Sequence, residues 1–458
     1  MHITSTSITT SNPRRAAVRI ACALAAVALS APALAAPHEL LAPQKGDLSA
    51  SVVTAPATMQ MSFGAPGTSH DTVALSWAAG ADIAEGAAPQ RAQSREYYME
   101  VSAADLGAGV TIHTSAARAL VRLQPLGPSG PRENLAIDPL ALAVIDAGGH
   151  AHVKGAGMQM LVSSDKLAKA DLPFAPGTSA FRLHPDLGSG AFTLKADGLH
   201  GAERYLINVV EPDSKLALTL QTDAPNYLHG HTLALTPELI EDDGSANGRR
   251  HAMSRFEGSV VSPGGRSFPL AFKAGSDGRL RAALTLDADE APAPGLWEVR
   301  AQGQATVRGQ KVMRTVRLAF PVAMPVARLT GALALANTID SVAVRLGVEA
   351  GAPGRYEVRG LLYGTVNGVL VPLGVAHAAQ WMEPGSASIT LAFSSQLIGN
   401  AGAPFELRDL NLLDQGRMGV LHKQQRALVL DERDIVRAAP ALLAAPATPA
   451  KRAPSTEG

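Results

Sequence analysis

Short runs of alternating apolar and polar residues recur through most of the chain, and they constrain its fold more than any other feature. A period of two sends successive side chains to opposite faces of a strand, so one face of each run can enter a core. Clear examples are SGAFTLKA at 189–196, KLALTLQT at 215–222 and HTLALTPEL at 231–239. Helical periodicity is nearly absent, and the best candidate helix is short, SDKLAKA at 164–170. The pattern predicts an all-β protein.

Turn residues separate these runs. In FEGSVVSPGGRSFPLAFKAGSDGRLRAALTL, at 256–286, Pro-Gly-Gly and Ser-Asp-Gly join three predicted strands. Glycine supplies the positive φ that such turns require. Strands repeated at intervals of about 8–12 residues with this punctuation are typical of antiparallel sandwiches. We therefore expect tandem antiparallel β-sandwich domains of the immunoglobulin-like type.

Two strands share the order Gly-x-aromatic-Glu-Val-Arg, in GLWEVRA and GRYEVRG. Alternation directs Trp297 and Val299 to one face of the first strand, and Tyr356 and Val358 to one face of the second. Aromatic residues make up only 4% of the chain, so the cores must be built mostly from Ala, Val and Leu. The two strands are predicted to be core strands of two consecutive domains.

The first 35 residues have the pattern of a secretory signal peptide. Arg14, Arg15 and Arg19 precede an apolar run at 20–29, and small residues follow up to Ala35. Charged, apolar and small-residue zones in this order are typical of export signals. The apolar run is shorter than the stretch of about 20 residues that a membrane-spanning helix needs. We expect cleavage near Ala35 and a periplasmic or secreted mature chain.

Composition excludes several function classes. The single cysteine, Cys22, lies in the predicted signal, so the mature chain would have no disulfide, thiolate ligand or cysteine nucleophile. Lys plus Arg and Asp plus Glu each number 40, and no dense basic run is present, so nucleic acid is not an expected partner. No later segment has 18 unbroken apolar residues, so we expect no membrane span after signal removal.

Proline-marked breaks divide the remaining chain, in VVEPDSKLAL and FPVAMPVARLTG. We predict a signal peptide at 1–35, a flexible N-terminal segment at 36–70, an N-terminal β-rich domain at 71–212, an immunoglobulin-like β-sandwich at 213–326, a C-terminal β-sandwich at 327–434 and a disordered Pro/Ala tail at 435–458.

Two histidine pairs were candidates for a metal site. His229 and His231 flank Gly230 in NYLHGHTLAL, and His150 and His152 lie in DAGGHAHVKG. A zinc site needs three or four ligands, and no further ligand stands at a recognised spacing from either pair. We interpret the first pair as the polar turn before a core strand and the second as a hairpin tip. Whether the pairs share a metal across a domain interface stays open.

Other motifs fail at a required position. HELLAPQ begins like a zinc-protease helix with His38 and Glu39, but Ala42 stands where the second histidine is needed. DGSANG, at 243–248, resembles a calcium loop, yet Ser254 replaces the bidentate glutamate; a tight loop explains it better than a weak calcium site. The chain has no Gly-x-Ser-x-Gly elbow, phosphate loop or dinucleotide fingerprint. We assign no catalytic, cofactor-binding or metal-binding residue.

Turn-and-core motifs are spread over most of the predicted mature chain: SREYYMEVSAADLGAGV in the first domain, YLHGHTLALTPEL and PGLWEVRAQG in the second, and GRYEVRGLLYG, EPGSASITLAF and FELRDLNLLDQG in the third. On these motifs the chain resembles an uncharacterised family of secreted, three-domain, β-rich proteobacterial proteins. The second domain is similar to macroglobulin-type immunoglobulin-like modules. The family is a domain of unknown function, so the resemblance implies a fold and export and assigns no catalytic residue.

Taken together, these features indicate an exported, non-catalytic protein that binds a cell-envelope component, a macromolecule or a partner protein. Carbohydrate-binding sandwiches use exposed aromatic platforms, and the roles of Trp77 and Trp381 stay unresolved. The alternative is a secreted accessory or hydrolytic enzyme whose site forms between domains, either with or without a bound metal. The sequence does not identify the ligand.

Overall fold

The computed structural model describes residues 38–55, 69–80, 87–127, 135–170, 173–287, 293 and 295–435. The predicted cleavage site near Ala35 and almost all of the predicted tail lie outside these ranges. Within them the chain is mostly β-strand, which confirms the predicted all-β class. Three short α-helices are present in the described residues: α1 Ala103–Ala108, α2 Ser164–Lys169 and α3 Ser395–Ile398. Helix α2 is the one that the sequence predicted.

Three strands precede the first sandwich in sequence and belong to other parts of the molecule. They are β1 His38–Glu39, β2 Val73–Ala78 and β3 Arg91–Ser94.

The N-terminal sandwich consists of a five-stranded and a four-stranded antiparallel sheet. Ile112, Val121, Phe181 and Ile207 meet between the sheets and are fully buried. Its strands are β4 Glu96–Ser102, β5 Val110–Thr114, β6 Leu120–Leu126, β7 Leu142–Ile145, β8 Ala151–His152, β9 Met158–Val162, β10 Ser179–Leu183, β11 Gly190–Ala196 and β12 Arg204–Val210. Their order is β4-β12-β6-β10-β9 in one sheet and β5-β11-β7-β8 in the other.

The middle sandwich has its core around Trp297 and Val299, both buried as alternation predicted. Its strands are β13 Leu216–Thr222, β14 Tyr227–Leu228, β15 Thr232–Glu241, β16 Arg249–His251, β17 Arg255–Val261, β18 Ser267–Leu270, β19 Lys273–Ala274, β20 Leu280–Thr285, β21 Trp297–Val307, β22 Gln310–Phe320 and β23 Val322–Ala323. One sheet runs β19-β20-β15-β13-β3 with β16 beside β15, the other runs β18-β17-β21-β22, and β14 pairs in parallel with β23.

The C-terminal sandwich buries Tyr356 and Val358, which again follows the predicted alternation. Its strands are β24 Ala327–Leu335, β25 Ser341–Ala350, β26 Gly354–Val366, β27 Val369–Met382, β28 Gly385–Ser394, β29 Gly402–Asp414 and β30 Gly419–Leu430. Strand β1 completes the sheet β1-β24-β25-β28, and β2 completes the sheet β2-β27-β26-β29-β30. The sheets therefore change near 210–216 and 320–327.

The structure differs from the prediction for the segment before residue 96. The described part of 36–70 is not loose, because Leu48 exchanges backbone hydrogen bonds of 2.8 Å with Lys423 and β1 pairs with β24. Strand β2, predicted to begin the N-terminal domain, pairs with β27, and β3 pairs with β13. Sequence pattern identifies a strand but not a distant partner, and long loop closures add little to the cost of such pairing.

None of the helices in the described ranges is long and apolar enough to span a bilayer.

Candidate binding face

The two histidine pairs occupy separate sites. The Nδ1 atom of His150 lies 3.4 Å from Asp146 Oδ1, and His152 Nε2 lies 3.2 Å from Asp146 Oδ2, at the tip between β7 and β8. His229 Nδ1 lies 2.9 Å from the carbonyl oxygen of Asp287, in the middle sandwich. Across the described ranges, no group of three or more His, Cys, Asp or Glu side chains is arranged to hold a metal ion.

The turn before β15 explains the pair formed by His229 and His231. Gly230 has φ +86°, a conformation that glycine adopts without steric cost, and β15 begins two residues later. His231 is half-buried there, and this burial lowers the pKa of its imidazole, while a hydrogen bond to the backbone of Ser49 acts in the opposite direction. The two histidines thus belong to the turn before β15 and to its contact with the segment that carries Ser49.

The other rejected motifs have structural roles. Asp243 Oδ1 accepts hydrogen bonds from the backbone N–H of Ser245 at 3.1 Å and from its hydroxyl at 2.6 Å, so this carboxylate stabilises its own loop. His38 and Glu39 form β1 rather than a helix. The zinc-protease geometry, which needs a helix, is therefore not built.

An exposed aromatic surface lies on the outer side of the C-terminal sheet, where β2 and β27 run side by side. We call it the aromatic face and define it by His70, Trp77, His377 and Trp381. The rings of Trp77 and His377 are 5.2 Å apart, and those of His70 and Trp381 stack at 4.1 Å with an interplanar angle of 8°. The side chain of Trp77 is 47% exposed, whereas that of Trp297 is buried. Large exposed aromatic side chains are frequent anchors of binding surfaces.

Alternation along β2 explains why Trp77 faces outward. Ser76 points into the sandwich, where its hydroxyl accepts a 3.2 Å hydrogen bond from the backbone N–H of Ser394. Val73, Leu75 and Trp77 must then project to the opposite, outer side. All three are exposed, which leaves an apolar row along this strand.

Hydrogen-bonding groups lie beside the rings. Glu357 Oε1 lies 2.8 Å from His377 Nδ1, and Glu357 Oε2 accepts a 2.5 Å bond from the side-chain amide of Gln415. The guanidinium of Arg355 donates to the carbonyl oxygens of Ser69 and Asp71 at 2.6 and 2.7 Å. Arg355 thereby fixes the segment that carries His70 over Trp381.

A small apolar cluster supports the face from the same side of the sheet. Leu361, Tyr363 and Val375 are buried together, and Trp77 stands directly opposite Val375 in the ladder. The guanidinium of Arg408 lies 4.9 Å from the centre of the Tyr363 ring. Because this support is packed, the rings of the aromatic face have a fixed base.

Comparisons with known proteins give a family. The model described as the DUF4785 (domain of unknown function) N-terminal domain matches residues 64–211, and the DUF4785 C-terminal domain matches residues 326–431. This chain belongs to the DUF4785 family. Both DUF4785 matches contain part of the aromatic face, since Trp77 lies in the first and His377 and Trp381 lie in the second.

A solved DUF4785 structure has a similar fold. The crystal structure of a DUF4785 family protein from Legionella pneumophila has a TM-score of 0.64 and 20% identity, over 83% of this chain and 98% of that chain. A DUF3823 family protein from Bacteroides ovatus (TM-score 0.16, 13% identity, 41% of this chain and 96% of that one) and Salmonella alpha-2-macroglobulin (0.16, 11%, 77% and 24%) are too dissimilar to inform the fold. A search of curated proteins found no match.

The DUF4785 chain also holds a buried ion pair where its N-terminal and middle sandwiches meet. The guanidinium of Arg314, 2% exposed, lies 2.5 Å from the carboxylate of Glu211, which is fully buried. Ser115 donates its N–H and its hydroxyl to the two oxygens of Glu211, at 2.7 and 2.6 Å. Ser214 Oγ and the carbonyl oxygen of Leu216 accept further bonds from Arg314. We call this group the polar junction.

Sequence reasoning missed most of the aromatic face in this DUF4785 protein. It left Trp77 and Trp381 open as contact residues and named none of His70, His377, Glu357 or Gln415. The usable signal was the strict alternation of VALSWA, which places two large apolar residues and a tryptophan on one side of a strand. The sequence around VALSWA does not indicate that this strand lies beside residues 373–382.

Proposed function

We propose that this protein is exported, is not an enzyme, and binds a carbohydrate polymer of the cell envelope through the aromatic face. The observation that carries the proposal is the exposed ring of Trp77, set on a packed base and beside fixed hydrogen-bonding groups. An exposed apolar surface of this kind on a soluble domain commonly marks a contact site.

The chemistry of the face suits a sugar ring. One side of a pyranose presents C–H groups that can stack on an indole, while its hydroxyls need donors and acceptors. Glu357 and Gln415 offer polar atoms close to the rings, and Arg359 is an exposed neighbour directly opposite His377 in the ladder. A purely apolar partner would strip water from these polar groups without offering them new hydrogen bonds, at a cost in affinity.

The geometry around His377 favours binding over catalysis. A carboxylate that orients an imidazole is one part of a nucleophilic triad, but the third part must be a hydroxyl or thiol within hydrogen-bond reach. Within the described residues, no hydroxyl or thiol is bonded to His377. Both oxygens of Glu357 are engaged, which suits a fixed acceptor.

Export rests on the sequence. The arginine-led apolar run and the small residues up to Ala35 match the order of a secretory signal, and removal of that segment takes away Cys22. A cysteine-free chain suits an oxidising compartment.

The test is a sedimentation assay of the mature protein with insoluble peptidoglycan sacculi, and titration with soluble outer-membrane polysaccharide. We expect binding by the native chain and at least about tenfold weaker binding, about 1.4 kcal/mol, for Trp77→Ala. Phe174→Ala is the matched control, because Phe174 is also an exposed aromatic but lies in the N-terminal domain. Failure of the native chain to bind either polymer, or an equal loss in Phe174→Ala, would contradict the proposal.

A further inference from the structure

The free edge of β2 differs from several other sheet edges in the described part of the chain, although the edge strands β9 and β28 also lack charge and proline. Edge strands expose unpaired backbone groups, and proteins shorten, charge or cover them to avoid pairing with other chains. Strands β1, β8 and β19 have two residues each, β18 contains Pro269, and the edge of β30 is contacted by the segment that carries Leu48. Strand β2 has six residues, VALSWA, with no charge and no proline, and all except Ser76 are exposed.

The ladder shows which groups of β2 point outward. Ala79 donates its N–H to the carbonyl oxygen of Leu373 at 3.1 Å, so the odd-numbered residues of this segment bond to β27. Hydrogen bonds alternate along an antiparallel strand, so the N–H and C=O groups of Ala74, Ser76 and Ala78 face the free edge. Among the described residues, none donates to or accepts from them on that side.

We propose that β2 pairs antiparallel with β2 of a second copy of this chain, about a two-fold axis at Ser76. Ser76 then faces Ser76, and Ala74 faces Ala78, so all three outward-pointing residues exchange both of their backbone bonds. The five-stranded sheet of each copy continues into the other. A two-fold interface of this kind is closed and self-complementary.

The side chains fit this register. A two-fold axis perpendicular to the sheet keeps each side chain on its own face, so only residues of like parity can stand opposite one another. On the outer face Leu75 lies against Trp77 of the second copy, and this aliphatic–aromatic pair occurs twice. On the inner face only Ala and Ser meet. An axis at Leu75 would set Ala78 opposite Thr72, which lies outside β2, and this is why we place the axis at Ser76.

A second copy fits β2 better than a charged or proline-rich strand would. The strand carries no charge that would repel its own copy, and its inner-facing residues are the small Ala74, Ser76 and Ala78. Joining the edges leaves the outer face open from above. The pairing is therefore compatible with the aromatic face and does not depend on what that face binds.

Sedimentation equilibrium of the mature chain from about 1 µM to about 100 µM tests the pairing. We expect a dimer for the native chain, and monomers for Leu75→Lys and for Trp77→Glu, because each variant removes both copies of the contact between residues 75 and 77 and sets a charge beside the remaining apolar partner. An equimolar mixture of the two variants should again form dimers, since the new lysine then lies opposite the new glutamate. Phe174→Lys, on the N-terminal domain, should leave the dimer intact.

Three results would overturn the proposal: a native chain that stays monomeric at the highest concentration, dimers that persist in both single variants, or a mixture that remains monomeric. Leu75 is 60% exposed, so we expect both variants to fold. Should either one fail to fold, amide exchange of the native chain decides, because exchange at Ala74, Ser76 and Ala78 must slow as protein concentration rises. Exchange that is independent of concentration would equally contradict the dimer.

Discussion

At the polar junction, Glu211 and Arg314 are sealed between two sandwiches, and the carboxylate oxygens and the guanidinium all have partners. Along β2, by contrast, apolar side chains are exposed and outward backbone groups have no partner in the described part of the chain. The junction contains a buried, fully partnered ion pair. The C-terminal sheet presents aromatic rings, hydrogen-bonding groups and a free edge.

This contrast teaches where to look for function in an all-β protein. A buried ion pair has lost its hydration, so it must be fully partnered and is committed to structure. Exposed aromatic rings and unpaired strand edges do not stabilise a fold, so their presence points to a binding role. A search for charged residues alone would select the polar junction. The exposure of aromatic side chains instead selects the aromatic face.

The largest expected effect comes from breaking the junction. Arg314→Met leaves Glu211 buried without its counter-charge, and we expect a loss of about 3–5 kcal/mol in the free energy of unfolding. Urea denaturation measures this directly. Replacing both residues, with Glu211→Leu added, should recover most of the loss. If Arg314→Met lowers the free energy of unfolding by less than about 1 kcal/mol, the ion pair does not stabilise the fold as we propose.

A moderate effect is expected where β2 approaches β27. A Cβ atom added at Gly374 would lie 2.7 Å from Leu397 Cδ1 and 3.2 Å from the carbonyl oxygen of Trp77. Gly374→Ala should therefore cost about 1–3 kcal/mol and displace β2, weakening both polymer binding and pairing. Gly402→Ala is the control, because the nearest atom to its added Cβ would be 3.9 Å away. Equal stability of the two variants would contradict the close approach.

The smallest expected effect is a dependence of stability on pH. His422 is buried in the C-terminal sandwich, and burial lowers the pKa of its imidazole. As the pH falls below about 6.5, the unfolded chain binds a proton here that the folded protein does not, so the free energy of unfolding decreases. In His422→Gln this decrease between pH 7.5 and pH 5.5 should be smaller. An unchanged slope in thermal or urea unfolding would remove His422 as a cause.

The sequence predicted those features that depend on local pattern. Strand runs, the short helix α2 and the inward positions of Trp297 and Tyr356 follow from periodicity and turn residues, and each is present. The DUF4785 relationship was also anticipated as a family of unknown function, on the order of its turn and core motifs.

The aromatic face could not be predicted in this way. Ser76 and Ser394 are 318 positions apart, yet their hydrogen bond helps to set β2 beside the C-terminal sheet. His377 lies on β27, Glu357 on β26 and Gln415 in the turn after β29, and the three meet only because of the register between those strands. A pattern of period two identifies the face of a strand but contains no information on which strand lies next to it. The pairing of Glu211 with Arg314 is hidden for the same reason.

Hydrogen exchange with and without the bound envelope polysaccharide, at one fixed protein concentration, is the most direct test of the account. We predict slower exchange in peptides covering 73–78 and 373–382, and no change in peptides covering 211–216 and 312–316, which contain the polar junction. Protection at the junction or at the histidine turns near 150 and 230, with the aromatic face unchanged, would contradict the claim that ligand recognition resides on the C-terminal sheet.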